Sequence, residues 1–91
     1  MTIPANLPGS DLIEEGLADL AQGEESIASL VVSIGATRLR RIGLTIEGAL
    51  PDPEKRLYAL LSESDSDSAH SRYNALVRRL VSFERAAECA R

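Results

Sequence analysis

The stretch from Ser68 to Cys89 is the longest uninterrupted helical pattern in the sequence, since it contains neither glycine nor proline. Its apolar residues recur at spacings of three and four, at Ala69, Tyr73, Leu76, Leu80, Phe83 and Ala87. This spacing places them on one face of an α-helix. Val77 and Val81 widen the face beyond a coiled-coil seam, which is typical of a helix packed in a globular bundle. The stretch therefore favours an all-α fold.

Two shorter helical patterns precede a turn in the first half of the chain. The first covers about 11–22: Asp11 and Glu14 have the spacing of a capping box, and Gly23 is suited to end the helix. The second covers about 24–34, with apolar residues at i, i+3, i+4 and i+7 before Gly35. A short helical turn is expected near 38–42, because Gly43 stops it.

The second half begins with the least helical segment, residues 43–51, which we predict to be an ordered loop whose apolar residues cover the core. A helix over about 52–62 follows, with Asp52 as N-cap and Pro53 in the first position, where its missing N–H costs nothing. Ser62–Ser68 alternates serine with acidic residues and predicts a polar, capping connection to the last helix, about 67–89.

These patterns predict one domain, residues 1–91, with residues 1–9 as an extended N-terminal arm. Four main helices in a compact bundle are expected, because most of the connections are short. Inward-facing positions on each helix give a predicted core of Ile13, Leu17, Leu20, Ile27, Leu30, Val31, Ile34, Leu57, Leu60, Leu61, Tyr73, Leu76, Val77, Leu80 and Phe83.

Composition narrows the cellular context. No apolar run approaches the length of a membrane span, and the N-terminus lacks the features of a secretory signal. A single cysteine, Cys89, excludes an internal disulfide framework and fits a reducing cytoplasm. Arginine outnumbers lysine nine to one, which favours a GC-rich and hence bacterial genome.

The charge distribution is uneven along the chain, although the net charge is only −4. Residues 1–37 hold six acidic and no basic side chains, while all ten basic side chains lie in residues 38–91. The simplest interpretation is that the two parts pair within the molecule.

The sequence predicts no catalytic residue, cofactor or metal site. The acidic serine connection fails the EF-hand pattern, because His70 stands where the loop needs glycine and Leu76 where it needs glutamate. His70, the only histidine, and Cys89 are about 28 Å apart along one helix, so they cannot form a catalytic pair.

Arginines at 38, 40 and 41 and along the last helix leave nucleic-acid binding as an alternative. The would-be recognition helix before Gly43 is too short to fill a groove, and the isoelectric point near 4.9 opposes binding to phosphates. A small-ligand protein with its pocket under the 43–51 loop is a further alternative.

The favoured function is a small cytoplasmic module for protein–protein interaction or regulation. Small residues opposite the apolar face of the last helix, flanked by arginines, would let a second helix approach closely. The helix also spans some 33 Å and outruns its shorter neighbours, so its C-terminal half needs apolar cover. We therefore predict a homodimer, with a different protein as the alternative partner. The candidate interface is Ser71, Arg72, Ala75, Arg78, Arg79, Ser82, Phe83, Arg85 and Ala86.

Overall fold

The computed structural model describes residues 6–89 and contains five helices in that range. They are α1 (Ser10–Ala21), α2 (Ile27–Ile34), α3 (Ala36–Ile42), α4 (Pro53–Ser64) and α5 (Ala69–Cys89). The described residues form no strand, so the predicted all-α bundle is confirmed. The predicted arm falls largely outside the described residues; residues 6–9 form turns that lead into α1.

The N-termini of α1 and α2 differ from the sequence prediction. The predicted capping box of Asp11 and Glu14 is wrong, because α1 begins at Ser10 behind a left-handed Gly9, without a side-chain cap. A capping box does form at α2, where the Ser26 hydroxyl accepts from the Ser29 N–H and the Ser29 hydroxyl accepts from the Ser26 N–H. This box sets the start of α2 at Ile27, three residues after the predicted start.

Only Gly35 separates α2 from α3, and it serves as the C-cap of the first and the N-cap of the second. The predicted turn near 38–42 is a seven-residue helix that starts at Ala36 and ends before Gly43, whose φ is 114°. The following segment is the expected ordered loop. Leu44 and Ile46 are buried, and the Leu50 N–H donates to the Ser33 hydroxyl at 3.0 Å.

The helical hairpin α4–α5 follows the prediction closely. Asp52 is the N-cap of α4 and Pro53 its first residue, although the Asp52 side chain makes no capping bond. The helix runs to Ser64, two residues beyond the expected end. In the connection, the Asp67 N–H donates to a carboxylate oxygen of Asp65 at 3.1 Å, which closes a local turn after α4.

The centre of the molecule is α2, and not the long helix that dominates the sequence. Six of its eight residues are buried, and it packs against α1, α4, α5 and α3. A helix that is apolar nearly all round belongs in the interior. Its two buried serines satisfy their hydroxyls locally: Ser29 donates to the Ser26 carbonyl and Ser33 to the Ser29 carbonyl.

The core agrees with the prediction in part. Eight predicted residues are buried: Ile13, Leu20, Leu30, Val31, Leu57, Leu61, Leu80 and Phe83. Seven are only half-buried: Leu17, Ile27, Ile34, Leu60, Tyr73, Leu76 and Val77; the first six of these pack against the buried cluster. Ten more residues are buried that the predicted core does not include, among them the loop residues expected to cover it; they come mainly from α2, α3 and that loop: Leu12, Ala28, Val32, Ala36, Leu39, Ile42, Leu44, Ile46, Ala69 and Ala87.

Candidate interaction surface

The outer face of α5 carries the predicted interface, with one exception. Eight of the nine residues are exposed or half-buried: Ser71, Arg72, Ala75, Arg78, Arg79, Ser82, Arg85 and Ala86. Phe83 is only 2% exposed, so its inclusion in the surface is wrong. It lies on the inner face of α5, where the turn at Gly9 covers it: a Cβ at Gly9 would lie 3.6 Å from the Phe83 Cβ.

The C-terminal half of α5 needs no cover from a second chain. Phe83 and Ala87 are both buried, because α3 and the turn before α1 pack over this end of the helix. Gly35 allows the close approach: a Cβ there would lie 2.8 Å from a methyl group of Leu80. The sequence argument that this end is left uncovered is therefore wrong, and it no longer supports a dimer.

A groove lies beside the N-terminal half of α5. Since α1 packs mainly on α2, and α5 mainly on α3 and α4, the helices α1 and α5 do not close on each other. The space between them has a volume of about 590 Å³. It is bordered by residues of α1, the start of α2 and α5: Leu12, Glu15, Ser26, Ile27, Ala28, Arg72, Ala75, Leu76 and Arg79. Three of these, Arg72, Ala75 and Arg79, belong to the predicted interface.

The groove has an apolar floor and a rim that carries both signs of charge. Arg79 donates to the two carboxylate oxygens of Asp11 at 2.9 and 3.1 Å, and this hydrogen bonding lowers the pKa of Asp11. Arg72 on the α5 side donates to the Ser64 hydroxyl at 3.0 Å and forms no ion pair with residues 6–89. Glu15 on the α1 side is exposed and forms no ion pair with the described residues. One basic and one acidic side chain are thus left available across the groove.

Most other arginines are used inside the molecule. Arg40 donates to the Ile46 carbonyl at 2.8 Å, which holds the loop after α3, and Arg56 pairs with Glu25. The pairs Arg56–Glu25 and Arg79–Asp11 both join the acidic first third to the rest of the chain, which supports the predicted internal complementarity. Arginines held in this way are poorly placed to neutralise phosphates.

The chemistry-bearing residues remain dispersed in the structure. Within residues 6–89, no group of three or more His, Cys, Asp or Glu side chains is placed to hold a metal ion. His70 is exposed, where Nε2 lies 3.2 Å from the Asn74 amide and the ring meets Tyr58 edge-on. Cys89 is an exposed free thiol. None of the helices in this range has the length and apolar content needed to cross a bilayer.

The loop after α3 leaves little room for a ligand. Leu44 and Ile46 fill the space beneath it, and the cleft that remains has a volume of about 210 Å³. Its borders are Leu17, Leu20 and Ala21 of α1 and Thr45, Ile46 and Glu47 of the loop. Pockets for small organic ligands are usually about 300–1,000 Å³. The groove beside α5 is therefore the larger candidate site.

Glu84 is the one charged side chain buried among the described residues, at 4% exposed. It lies against Gly35, and its carboxylate is 3.6 Å from Arg38, which also pairs with Glu88 at 2.7 Å. Burial raises the pKa of the Glu84 carboxyl more than the Arg38 charge lowers it. The ionised form of Glu84 is thus a cost that the folded state carries.

We expect Glu84→Gln to stabilise the protein at neutral pH. Because the folded-state pKa is raised, protonated Glu84 favours folding, and this contribution is lost as the pH rises through the folded pKa. Below about pH 4.5, the reference value, the carboxyl is neutral in both states and the variant should gain nothing. Arg38 keeps Glu88 as its partner, so no buried charge is stranded.

Urea unfolding at pH 4 and pH 7 measures the effect, with the exposed Glu63→Gln as control. A lower unfolding free energy for Glu84→Gln at pH 7 would show that the pair with Arg38 outweighs the cost of burial.

Comparison of the chain with protein-family models, with curated proteins and with solved structures finds no match.

The predicted interface omits Leu76 of α5 and, on the other side of the groove, five residues: Leu12, Glu15, Ser26, Ile27 and Ala28. These five lie more than forty residues before α5, and helical periodicity does not show which helices become neighbours. The signals that the sequence offers are the apolar side chains of Leu12 and Ile27, which lie on the apolar faces of α1 and α2.

Proposed function

We propose that this protein is a helical protein–protein interaction module without catalytic activity, and that it acts as a homodimer. The groove beside α5 is the observation that carries the proposal: it combines an apolar floor with a base, Arg72, and with an acid, Glu15, that forms no ion pair within residues 6–89. Exposed concave apolar surface rimmed by polar residues is typical of interaction sites. The single cysteine is consistent with a reducing cytoplasm as its location.

A second copy of the chain is the partner that the charges favour. In a two-fold interface the same surface contacts itself, so it must carry both signs to be self-complementary. The rim of the groove meets this requirement through Glu15 and Arg72. A stable interface buries about 800 Å² per subunit. The described surface totals 5371 Å², so such an interface is within the reach of this small chain.

Nucleic-acid binding and small-ligand binding, the two alternative functions, are less well supported. Nucleic-acid binding needs arginines that can reach phosphates, whereas Arg38, Arg40, Arg56 and Arg79 all have partners within the chain. A small-ligand site under the loop would need a larger cavity than the 210 Å³ cleft.

We expect sedimentation equilibrium at tens of micromolar to give a mass twice the monomer value of 9.8 kDa. Ala75→Glu should raise the dimer dissociation constant at least tenfold, because it places a charge beside the apolar floor of the groove. Ala59→Glu is the matched control, since it makes the same substitution at an exposed position of α4 away from the groove. A single species of 9.8 kDa for the wild type refutes self-association.

A further inference from the structure

We infer that α5 of each copy lies in the groove of the other, so that Glu15 of one copy pairs with Arg72 of its partner, and the reverse. This inference rests on the proposed homodimer and goes further by naming the contact that joins the two copies.

The face of α5 that borders its own groove can also pack into the groove of a second copy. Arg72, Leu76 and Arg79 are spaced at i, i+4 and i+7, so they share one face of the helix, with Ala75 at its edge. Ala75 is exposed and small, and it lets a second backbone approach closely. Two copies of α5 placed side by side about a two-fold axis would each cover the partner's half-buried Leu76 and Ile27.

The charges select the pairing across this contact. Asp11 and Arg79 neutralise each other within one chain, which leaves Glu15 on one wall of the groove and Arg72 on the other. Since these two do not pair within a chain, each can meet its counterpart in the partner. Arg72 gives up only an exposed hydrogen bond to Ser64, which is a small loss.

Glu15 also removes the main objection to a dimer along α5. Arginines alone would repel each other across the axis, and the acidic residues of α5 cannot separate them. Glu84 is buried, and Glu88 pairs with Arg38 at the far end of the helix. The acidic group comes instead from α1, which the fold brings to the opposite wall of the groove.

The inference is tested by reversing the two charges singly and together, with dimerisation measured by sedimentation equilibrium. Glu15→Arg and Arg72→Glu should each raise the dissociation constant at least tenfold, because each turns both attractive pairs into repulsive ones. An equimolar mixture of the two variants should dimerise again, since each heterodimer contact then joins an acid to a base. The double variant Glu15→Arg/Arg72→Glu should also dimerise, and it keeps the wild-type net charge of −4.

Glu14→Arg and Lys55→Glu are the matched controls, because both positions are exposed, lie outside the groove and the predicted interface, and change charge in the same way. Both should remain dimeric, and circular dichroism should show unchanged helix content in every variant. If the wild type dimerises but neither the mixture nor the double variant recovers, or if the controls dissociate equally, this pairing is overturned while the dimer stands. A monomeric wild type overturns the proposed homodimer and this inference together.

Discussion

Phe83→Ala should lower the free energy of unfolding by about 3–5 kcal/mol, the range measured when a buried aromatic side chain is removed from a core. Phe83 is 2% exposed, so its removal leaves a cavity that the surrounding side chains fill only in part. Small domains have about 5–15 kcal/mol of stability in total. The variant should therefore lie close to the limit of folding at 37 °C.

Urea unfolding followed by circular dichroism measures this loss, at one fixed protein concentration because self-association would add to the apparent stability. Ser82→Ala is the control, since the adjacent side chain is exposed and its removal should change the unfolding free energy by no more than about 0.5 kcal/mol. A loss below about 1 kcal/mol for Phe83→Ala would show that the side chain is not buried. Phe83 would then again be a candidate interface residue.

The apolar face of α5 shows what helical spacing predicts and what it does not predict. Leu76 and Leu80 share that face, and the sequence predicts the same burial for both. Leu80 is 3% exposed, because Gly35 lets the junction of α2 and α3 come within contact distance. Leu76 is half-buried at the edge of the groove, where no helix covers it. Spacing fixes which residues share a face, but neighbouring helices decide how far each is covered.

The sequence predicts less burial for the central helix α2 than the structure shows, and the reason is chemical. Its serines look polar, and the sequence assigned only four of its residues to the core. Ser29 and Ser33 are nevertheless buried, because each hydroxyl bonds to a carbonyl near the preceding turn. Serines satisfied in this way leave a helix free to be buried on all sides. A short helix can therefore lie at the centre of a fold when it has few charged residues and when its serines bond to its own backbone.

The candidate site could be predicted only on its α5 side. Helical spacing places Arg72, Ala75 and Arg79 together, and the structure keeps all three beside the groove. The opposite wall exists because α1 packs on α2 and not on α5. Helical spacing does not predict which helices pack against each other. The close contact of α1 with α2 requires a residue without a side chain at Gly16.

Gly16→Ala should destabilise the protein by about 1–3 kcal/mol or more, because it overpacks the contact between α1 and α2. A Cβ at Gly16 would lie 2.4 Å from the Ala28 carbonyl oxygen and 2.4 Å from a methyl group of Val32, well inside van der Waals contact. The carbonyl belongs to the backbone, so α1 and α2 must move apart as whole helices. In an exposed helix the same substitution stabilises by about 0.5–1 kcal/mol. The expected change in unfolding free energy is therefore opposite in sign to the change in an exposed helix.

Ala18→Gly, at an exposed position of the same helix, provides the matched control. It should cost about 0.5–1 kcal/mol through backbone entropy alone, so opposite substitutions two residues apart should both destabilise α1. Thermal and urea unfolding measure the two effects. Because Ala28 also borders the groove, Gly16→Ala should weaken self-association as well, whereas Ala18→Gly should not. A stabilised Gly16→Ala variant would mean that α1 and α2 do not approach each other closely at this position.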